Sequence, residues 1–194
     1  MRKIILLFTI SFASISYLFA QVHHTEENAV ASHSSKHKKH TVALYTAFTH
    51  IPGAFYENET LESRSGKFVP TIGFDYYYHL APKLSVGLMT DFEYDDYYIH
   101  QGEEKLVRDN IWIAAVVGKY KISKYLEIFA GPGYEMERKK SEQESESVSL
   151  WLMRTGVEFI VPIEDDWSIA PSFLYDFKEE YHSYSFGLSI MKQF

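Results

Sequence analysis

Acidic side chains recur at every second position in several segments of this chain, as in the stretch LMTDFEYDD that carries Asp91 and Glu93. Because alternate residues of a β-strand point to the same face, this spacing gathers the carboxylates on one side, whereas a helix would spread them around its surface. If the strands close around a lumen, these side chains form an internal charge network. Its predicted members are Asp75, Asp91, Glu93, Glu127, Glu135, Arg154, Glu158 and Asp176, and Lys119 and Lys178 fall on the same faces.

Three roles are open to this network. The charges can pair with one another and fill a narrow lumen, which we favour because an unpaired buried charge is costly. Alternatively, Arg154 could gate a narrow pore by switching between carboxylates, with Glu158, Glu127 and Glu135 as its expected neighbours and no second arginine in the lumen. A catalytic carboxylate pair is the third role, although so acidic an interior brings two acids together by chance.

A second set of candidate side chains is the histidines near the beginning of the chain. Imidazole is a common ligand of zinc, copper and nickel. No fixed spacing on a helix supports a built site, and few carboxylates lie nearby to complete one. We therefore predict no metal and no cofactor, and keep as weak candidate ligands His23, His24, His33, His37 and His40.

The chain has none of the common catalytic motifs. A histidine and a serine two positions apart on a strand would share a face, but the residue two beyond His182 is Tyr184, so Ser183 and Ser185 point the other way. No GxSxG, Walker, GxGxxG or HExxH motif occurs. We predict that the protein is not an enzyme. Two alternatives stay open: an outer-membrane enzyme that modifies lipid, and a soluble periplasmic barrel that binds a small apolar ligand.

Charge and cysteine content limit the partners further. The chain has 26 acidic and 19 basic residues and a formal net charge of −7. Nucleic-acid binding depends on basic contacts to phosphate, so we predict no nucleic-acid partner. The absence of cysteine excludes disulfides and thiolate metal sites.

The first residues have the features of a secretory signal peptide. Arg2 and Lys3 precede an apolar run, and the small residue Ala20 comes before a polar stretch. This pattern is typical of a cleaved signal rather than of a membrane span. We predict a signal peptide at 1–20, a flexible His-rich periplasmic leader at 21–40 and a β-barrel at 41–194.

Eight segments have a pattern that predicts strands. Seven of them show an apolar row on one face, whereas the fourth, 110–122, is apolar on both faces and its facing stays open. Tight connections follow the second, fourth and sixth segments, and longer polar ones follow the others, at 51–66, 99–106 and 139–147, apart from a short one near 179–180. This alternation and the even count predict an all-β, eight-stranded antiparallel up-and-down transmembrane barrel with both termini in the periplasm. The segments are 41–49, 67–80, 83–96, 110–122, 125–139, 149–161, 167–178 and 182–194.

The last segment, HSYSFGLSIMKQF, ends on an aromatic residue. It resembles the C-terminal signal that hands Gram-negative outer-membrane proteins to the barrel assembly machinery, with Phe186, Leu188, Ile190 and Phe194 as the signal residues. Lys192 departs from that signal, which usually has an apolar residue there.

Signal peptide, eight segments, loop asymmetry and terminal Phe194 together resemble the small OmpX- and OmpW-type barrels of the outer-membrane β-barrel domain family. The resemblance implies secretion across the inner membrane, residence in the cell outer membrane as a monomer surrounded by its lipid, and a structural, surface-interaction or narrow small-solute transport role. It rests on architecture, so it assigns no functional residue.

Overall fold

The structure, a computed structural model, describes residues 38–56, 66–101, 104–140, 145–178 and 181–194. The predicted signal peptide and nearly all of the predicted leader lie outside these residues. The described chain is built of strands: β1 His40–Ile51, β2 Lys67–Ala81, β3 Leu84–Gln101, β4 Glu104–Lys121, β5 Leu126–Lys140, β6 Ser145–Phe159, β7 Val161–Pro162, β8 Trp167–Lys178 and β9 His182–Gln193. Within the described ranges, no helix has the length and apolar character needed to cross a membrane.

These strands close into a barrel in which every neighbouring pair is antiparallel. The order around the sheet is β6-β5-β4-β3-β2-β1-β9-β8-β7, and β6 also pairs with β8. The two-residue β7 continues β6 after a break at Ile160, so the nine segments form eight strands of the barrel. The predicted fold class, an eight-stranded antiparallel up-and-down barrel, is confirmed.

Side chains alternate between the lumen and the outer surface along each strand. In β1, Ala43 and Tyr45 are buried, whereas Leu44 is 65% exposed and Phe48 is 59% exposed. The same parity holds in the other long strands, since apolar side chains such as Ile72 and Phe186 stay exposed on the outside. The pleat of a β-strand dictates this alternation, so spacing alone predicts the facing of the strands that have one apolar row. In β4, which is apolar on both faces, the structure turns Ile113 and Val117 inward and Trp112 and Val116 outward.

The tight turns, the start of β1 and the end of β9 meet at one end of the barrel, here called the terminal end. The turns comprise residues 82–83, 122–125 and 163–166. The first and last strands are paired there, because the Phe194 N–H donates to the His40 carbonyl oxygen at 2.8 Å. In the last turn, Asp165 and Asp166 have φ angles of 49° and 69°, a left-handed conformation that aspartate tolerates better than most residues.

The opposite end, here called the loop end, differs from the prediction. The expected loop at 99–106 is mostly strand, because Gln101 of β3 pairs with Glu104 of β4. The residues Tyr97, Tyr98 and Ile99 have high β-propensity and continue the pairing after a bulge. In addition, β6 pairs with β8 only from Leu152 onward but with β5 along its whole length. Strands β3 to β6 therefore extend as a four-stranded sheet beyond the rim, called the projecting sheet, at 96–101, 104–109, 136–140 and 145–151.

Three prolines lie in the interior of long strands, at positions where the neighbouring strand needs no backbone N–H donor. Pro70 precedes Thr71, where the β2–β3 pairing begins, and Pro171 of β8 lies opposite the break between β6 and β7. Pro132 faces a gap in the β4–β5 ladder between the pairs Ala115–Gly133 and Gly118–Ala130. Each proline thus occupies a position where the ladder needs no N–H, as expected for proline in a sheet.

Packing in the lumen predicts that Gly156→Ser destabilises the barrel. A Cβ at Gly156 would meet the Phe129 ring and would lie 2.6 Å from the Phe173 carbonyl oxygen. Overpacking of this kind costs roughly 1–3 kcal/mol of unfolding free energy. The matched control is Gly118→Ser, whose Cβ would meet only the Ala130 carbonyl oxygen at 3.9 Å. Urea titrations of both variants in lipid vesicles measure the difference, and equal midpoints would show that Phe129 moves aside freely.

Candidate functional site

The centre of the lumen holds a cluster of one arginine and two aspartates, called the middle tier. Arg154 of β6 donates from Nε to Oδ1 and from Nη2 to Oδ2 of Asp176 in β8, both at 2.8 Å. Its Nη1 lies 2.6 Å from Oδ2 of Asp91 in β3. All three side chains are buried, and Arg154 is only 1% exposed. A planar guanidinium is suited to this bidentate geometry.

The partners of Arg154 are not those expected from the sequence. Glu158, Glu127 and Glu135 were its predicted neighbours, and the structure places none of them in an ion pair with it. Two features explain the difference. The β6–β8 register sets Arg154 directly opposite Asp176, and closure of the barrel brings β3 across the lumen from β6.

Toward the terminal end lies a second group of charges, the lower tier. Lys119 of β4 places Nζ 2.6 Å from Oε2 of Glu158 and 3.9 Å from Oε2 of Glu127. The same ammonium lies 3.6 Å from the centre of the Tyr77 ring, within cation–π range. The Tyr77 hydroxyl donates to Asp75 Oδ2 at 3.2 Å. Two of the predicted network residues thus pair with one lysine, and Asp75 joins the tier through Tyr77.

Toward the loop end a third group, the upper tier, is centred on Glu135. Its carboxylate forms ion pairs with Arg108 and with Lys178, the latter at 2.5 Å. The Tyr181 hydroxyl also donates to Glu135 Oε1 at 2.8 Å. Burial raises the pKa of Tyr181, so its hydroxyl keeps the proton that it donates. Nearby, Tyr97 donates to the remaining predicted member, Glu93, at 3.2 Å.

Arg108 was missed by the sequence reasoning, which placed a single arginine in the lumen. It is 1% exposed and lies in the part of β4 that extends past the expected strand start. A bulge between Asp109 and Trp112, with Asn110 at a φ of 52°, turns both Arg108 and Asp109 inward. The sequence did contain a signal for the longer strands: residues of high β-propensity lie on both sides of 102–103, at 97–99 and at 106–107.

Buried apolar side chains pack among these tiers. One cluster, which includes Tyr45, Met89, Val117, Phe129 and Leu174, lies in the body of the barrel. A second apolar cluster closes the loop end, with Ala54 from the connection after β1 packed into it. In the same connection, Phe55 and Tyr98 exchange backbone hydrogen bonds at 2.9 Å. The described lumen is therefore filled with side chains and covered at the loop end. Members of the second cluster are Ile51, Ala54, Val69, Tyr97, Ile99, Ile111, Ile113 and Leu152.

Of the candidate metal ligands, only His40 lies among the described residues. Its Nδ1 lies 2.7 Å from the Tyr76 hydroxyl, and its ring contacts Tyr78. In the described ranges, no three histidines or carboxylates are grouped in a way that could hold a metal ion. His23, His24, His33 and His37 fall outside these ranges.

The residues of the predicted assembly signal lie on or after β9. Phe186, Leu188, Ile190 and Phe194 are all exposed. Lys192, which departs from the signal, has its ammonium 4.7 Å from the centre of the Trp167 ring on the neighbouring strand. His182 is exposed and Ser183 and Ser185 are buried, so these side chains lie on opposite faces of the strand. Recognition by the assembly machinery stays a prediction.

Comparison with known proteins identifies the fold and leaves the family open. No family model and no curated protein matches the chain. The N-terminal β-barrel domain of Pseudomonas aeruginosa OprF superposes with a TM-score of 0.53 at 10% identity, covering 81% of this chain and 99% of that one. The chain has the fold of an eight-stranded outer-membrane barrel.

Two further barrels resemble it more loosely. Neisserial surface protein A gives a TM-score of 0.49 at 10% identity, with 80% of this chain and 97% of that one covered. Yersinia pestis Ail, the attachment invasion locus protein, gives 0.48 at 15% identity, with 81% and 99% covered. At such identities the likeness is one of fold.

Proposed function

We propose that this barrel is a non-conducting, non-enzymatic protein of the cell outer membrane that serves as a structural anchor and surface-interaction module. The observation that carries the proposal is the filled lumen. Three tiers of buried ion pairs are packed among two clusters of buried apolar side chains, one of which covers the loop end. Such an interior supports a plugged barrel rather than a water-filled path.

The outer surface supports placement in a membrane. Exposed apolar side chains follow the outward rows of the strands, a pattern that an aqueous surface disfavours and hydrocarbon stabilises. Aromatic pairs occur toward the loop end, with ring centroids 4.6 Å apart for Phe92 and Trp112 and 5.3 Å apart for Tyr134 and Trp151. At the terminal end, Tyr120 and Tyr125 are 42% and 48% exposed. Aromatic residues at both ends are typical of membrane interfaces.

A surface role is supported by the projecting sheet. Within the described ranges, residues 145–151 of β6 pair with β5 and have no partner in β8, which ends at Lys178. An unpaired strand edge offers backbone donors and acceptors to an extended segment of another protein. With the tight turns on the periplasmic side, this edge lies outside the cell.

The carboxylates of the lumen support a structural role over a catalytic one. Asp91, Glu135, Glu158 and Asp176 are held in ion pairs and are buried. A general acid or base must reach its substrate within hydrogen-bond distance. An enzyme that modifies lipid would need a reactive group at the outer face, and this remains the alternative to be tested.

Cell fractionation and planar-bilayer recording test the proposal together. We expect the protein to sediment with the outer membrane, to resist extraction by carbonate and high salt, and to show no unitary conductance steps, because side chains fill the lumen. Recovery of folded protein with the soluble periplasmic fraction would support the soluble alternative instead. Reproducible steps from the wild-type protein would show a pore. A changed lipid A mass spectrum in a deletion strain, restored by the gene, would indicate an enzyme.

A further inference from the structure

A cavity of about 370 Å³ opens at the terminal end of the barrel, next to the lower tier. This volume is at the small end of the roughly 300–1,000 Å³ range of ligand pockets. Its inner part is formed by the buried side chains of Thr41, Tyr77 and Lys119. His79 fixes one wall, because its Nε2 lies 2.8 Å from Thr41 Oγ1 and its Nδ1 lies 2.7 Å from Ser85 Oγ. The cavity therefore has a defined polar floor rather than loose surface groups.

Opposite charges line the rim of the cavity from two different connections. Lys121 is the last residue of β4 and Lys124 lies in the turn after it, whereas Glu164 and Asp165 belong to the turn before β8. Among the described residues, none of these four side chains forms an ion pair with another protein group. The adjacent Asp166 is paired with Lys38. Two cations and two carboxylates without an ion pair thus face one cavity, beside the carboxylates of Glu127 and Asp166, which pair with Lys119 and Lys38.

An apolar wall lies between the charged turns. It is formed by Ile160, Pro162, Ile163, Trp167 and Met191. Small-molecule sites commonly combine an apolar lining with a few polar groups that fix orientation. Here the polar groups carry both signs, so a ligand with only one charge would leave one side of the rim unmatched.

We propose that this cavity binds a short peptide with free amino and carboxyl ends and apolar side chains. The carboxylate lies toward Lys121 and Lys124, the ammonium lies toward Glu164 and Asp165, and the side chains pack on the wall that includes Trp167. The inference relies on the proposed function only for the compartment to which the cavity opens, which is the periplasm.

Fluorescence of a single tryptophan tests the site directly. The chain has three tryptophans, so Trp112→Phe with Trp151→Phe leaves only Trp167, which lines the cavity. The probe is the dipeptide leucylleucine, titrated into the barrel refolded in detergent micelles, with its N-acetyl form and its C-terminal amide as matched ligands. We expect a saturable change in Trp167 emission with the dipeptide. Each blocked form should bind up to about fivefold more weakly, since it lacks one exposed charge contact.

Two paired variants assign the ends of the peptide. With Lys121→Gln and Lys124→Gln, the dipeptide and its amide should bind alike. With Glu164→Gln and Asp165→Asn, the dipeptide and its N-acetyl form should bind alike. Three results would each overturn the proposal. They are equal binding of all three ligands to the parent protein, no saturable response to the dipeptide, and loss of discrimination against the N-acetyl form in the lysine variant or against the amide in the acidic-residue variant.

Heat-modifiable migration on gels, measured on every sample, establishes that the barrel is folded. Fractionation of cells is independent of these titrations. Binding by a protein that fractionates as soluble would therefore reject the proposed location and retain the site, whereas an outer-membrane barrel without binding would reject the site alone.

Discussion

Replacing Arg154 with alanine is expected to lower the free energy of unfolding of the barrel by about 3–5 kcal/mol. The substitution leaves Asp91 and Asp176 buried without the guanidinium that bonds to both. Removing one member of a buried ion pair costs more than the pair contributes, because an uncompensated charge remains in a medium of low dielectric constant. Urea titrations in lipid vesicles, followed by tryptophan emission, measure the loss.

Two variants make this result specific. Lys38→Ala removes a cation from a pair with Asp166 in which the side chains are 40% and 41% exposed, and should cost less than about 1 kcal/mol. Combining Arg154→Met with Asp91→Asn and Asp176→Asn removes all three charges and should recover most of the lost stability. A stability of Arg154→Ala equal to that of wild type would mean that water already solvates the middle tier.

The same variant tests the gate that the sequence left open. Because the apolar cluster at the loop end does not depend on Arg154, we expect Arg154→Ala to remain without unitary conductance. Cation-selective steps that appear only in this variant would show that Arg154 closes a pore, and the plugged-barrel proposal would then fail.

A second large effect is expected from Val116→Arg on the outer surface. Val116 is 55% exposed, pairs with Leu88 of β3, and lies midway along the outward row of β4 between Trp112 and Tyr120. An arginine on the lipid face near the bilayer midplane costs roughly 2–4 kcal/mol, but only about 0–1 kcal/mol near an interface. Val161→Arg, at a residue 52% exposed near the terminal end, is therefore the matched control. Folding yields and urea midpoints in vesicles measure both.

These two variants also test the placement of the membrane. A large loss for Val116→Arg with a small one for Val161→Arg is the pattern that hydrocarbon around the middle of the barrel produces. Equal and small losses would indicate that water surrounds the exposed rows, as in the soluble alternative.

The fold was largely predictable because strand facing is a local property. A pleated backbone sends alternate side chains to opposite faces, so the rows that contain Leu44 and Tyr45 were separable from the sequence without knowledge of any neighbour. The barrel followed from combining eight such segments with alternating connection lengths. The inward positions of the eight predicted network residues follow from the same period of two.

The pairing within the lumen was decided by the tertiary structure alone. Arg154 reaches Asp91 because β3 and β6, far apart in sequence, face each other across a closed barrel. The inward position of Arg108 depends on a bulge that shifts the β4–β5 register. The terminal-end cavity depends on how two turns lie around one rim. Spacing along a strand determines which face a side chain occupies, but strand register, bulges and closure determine what it meets there.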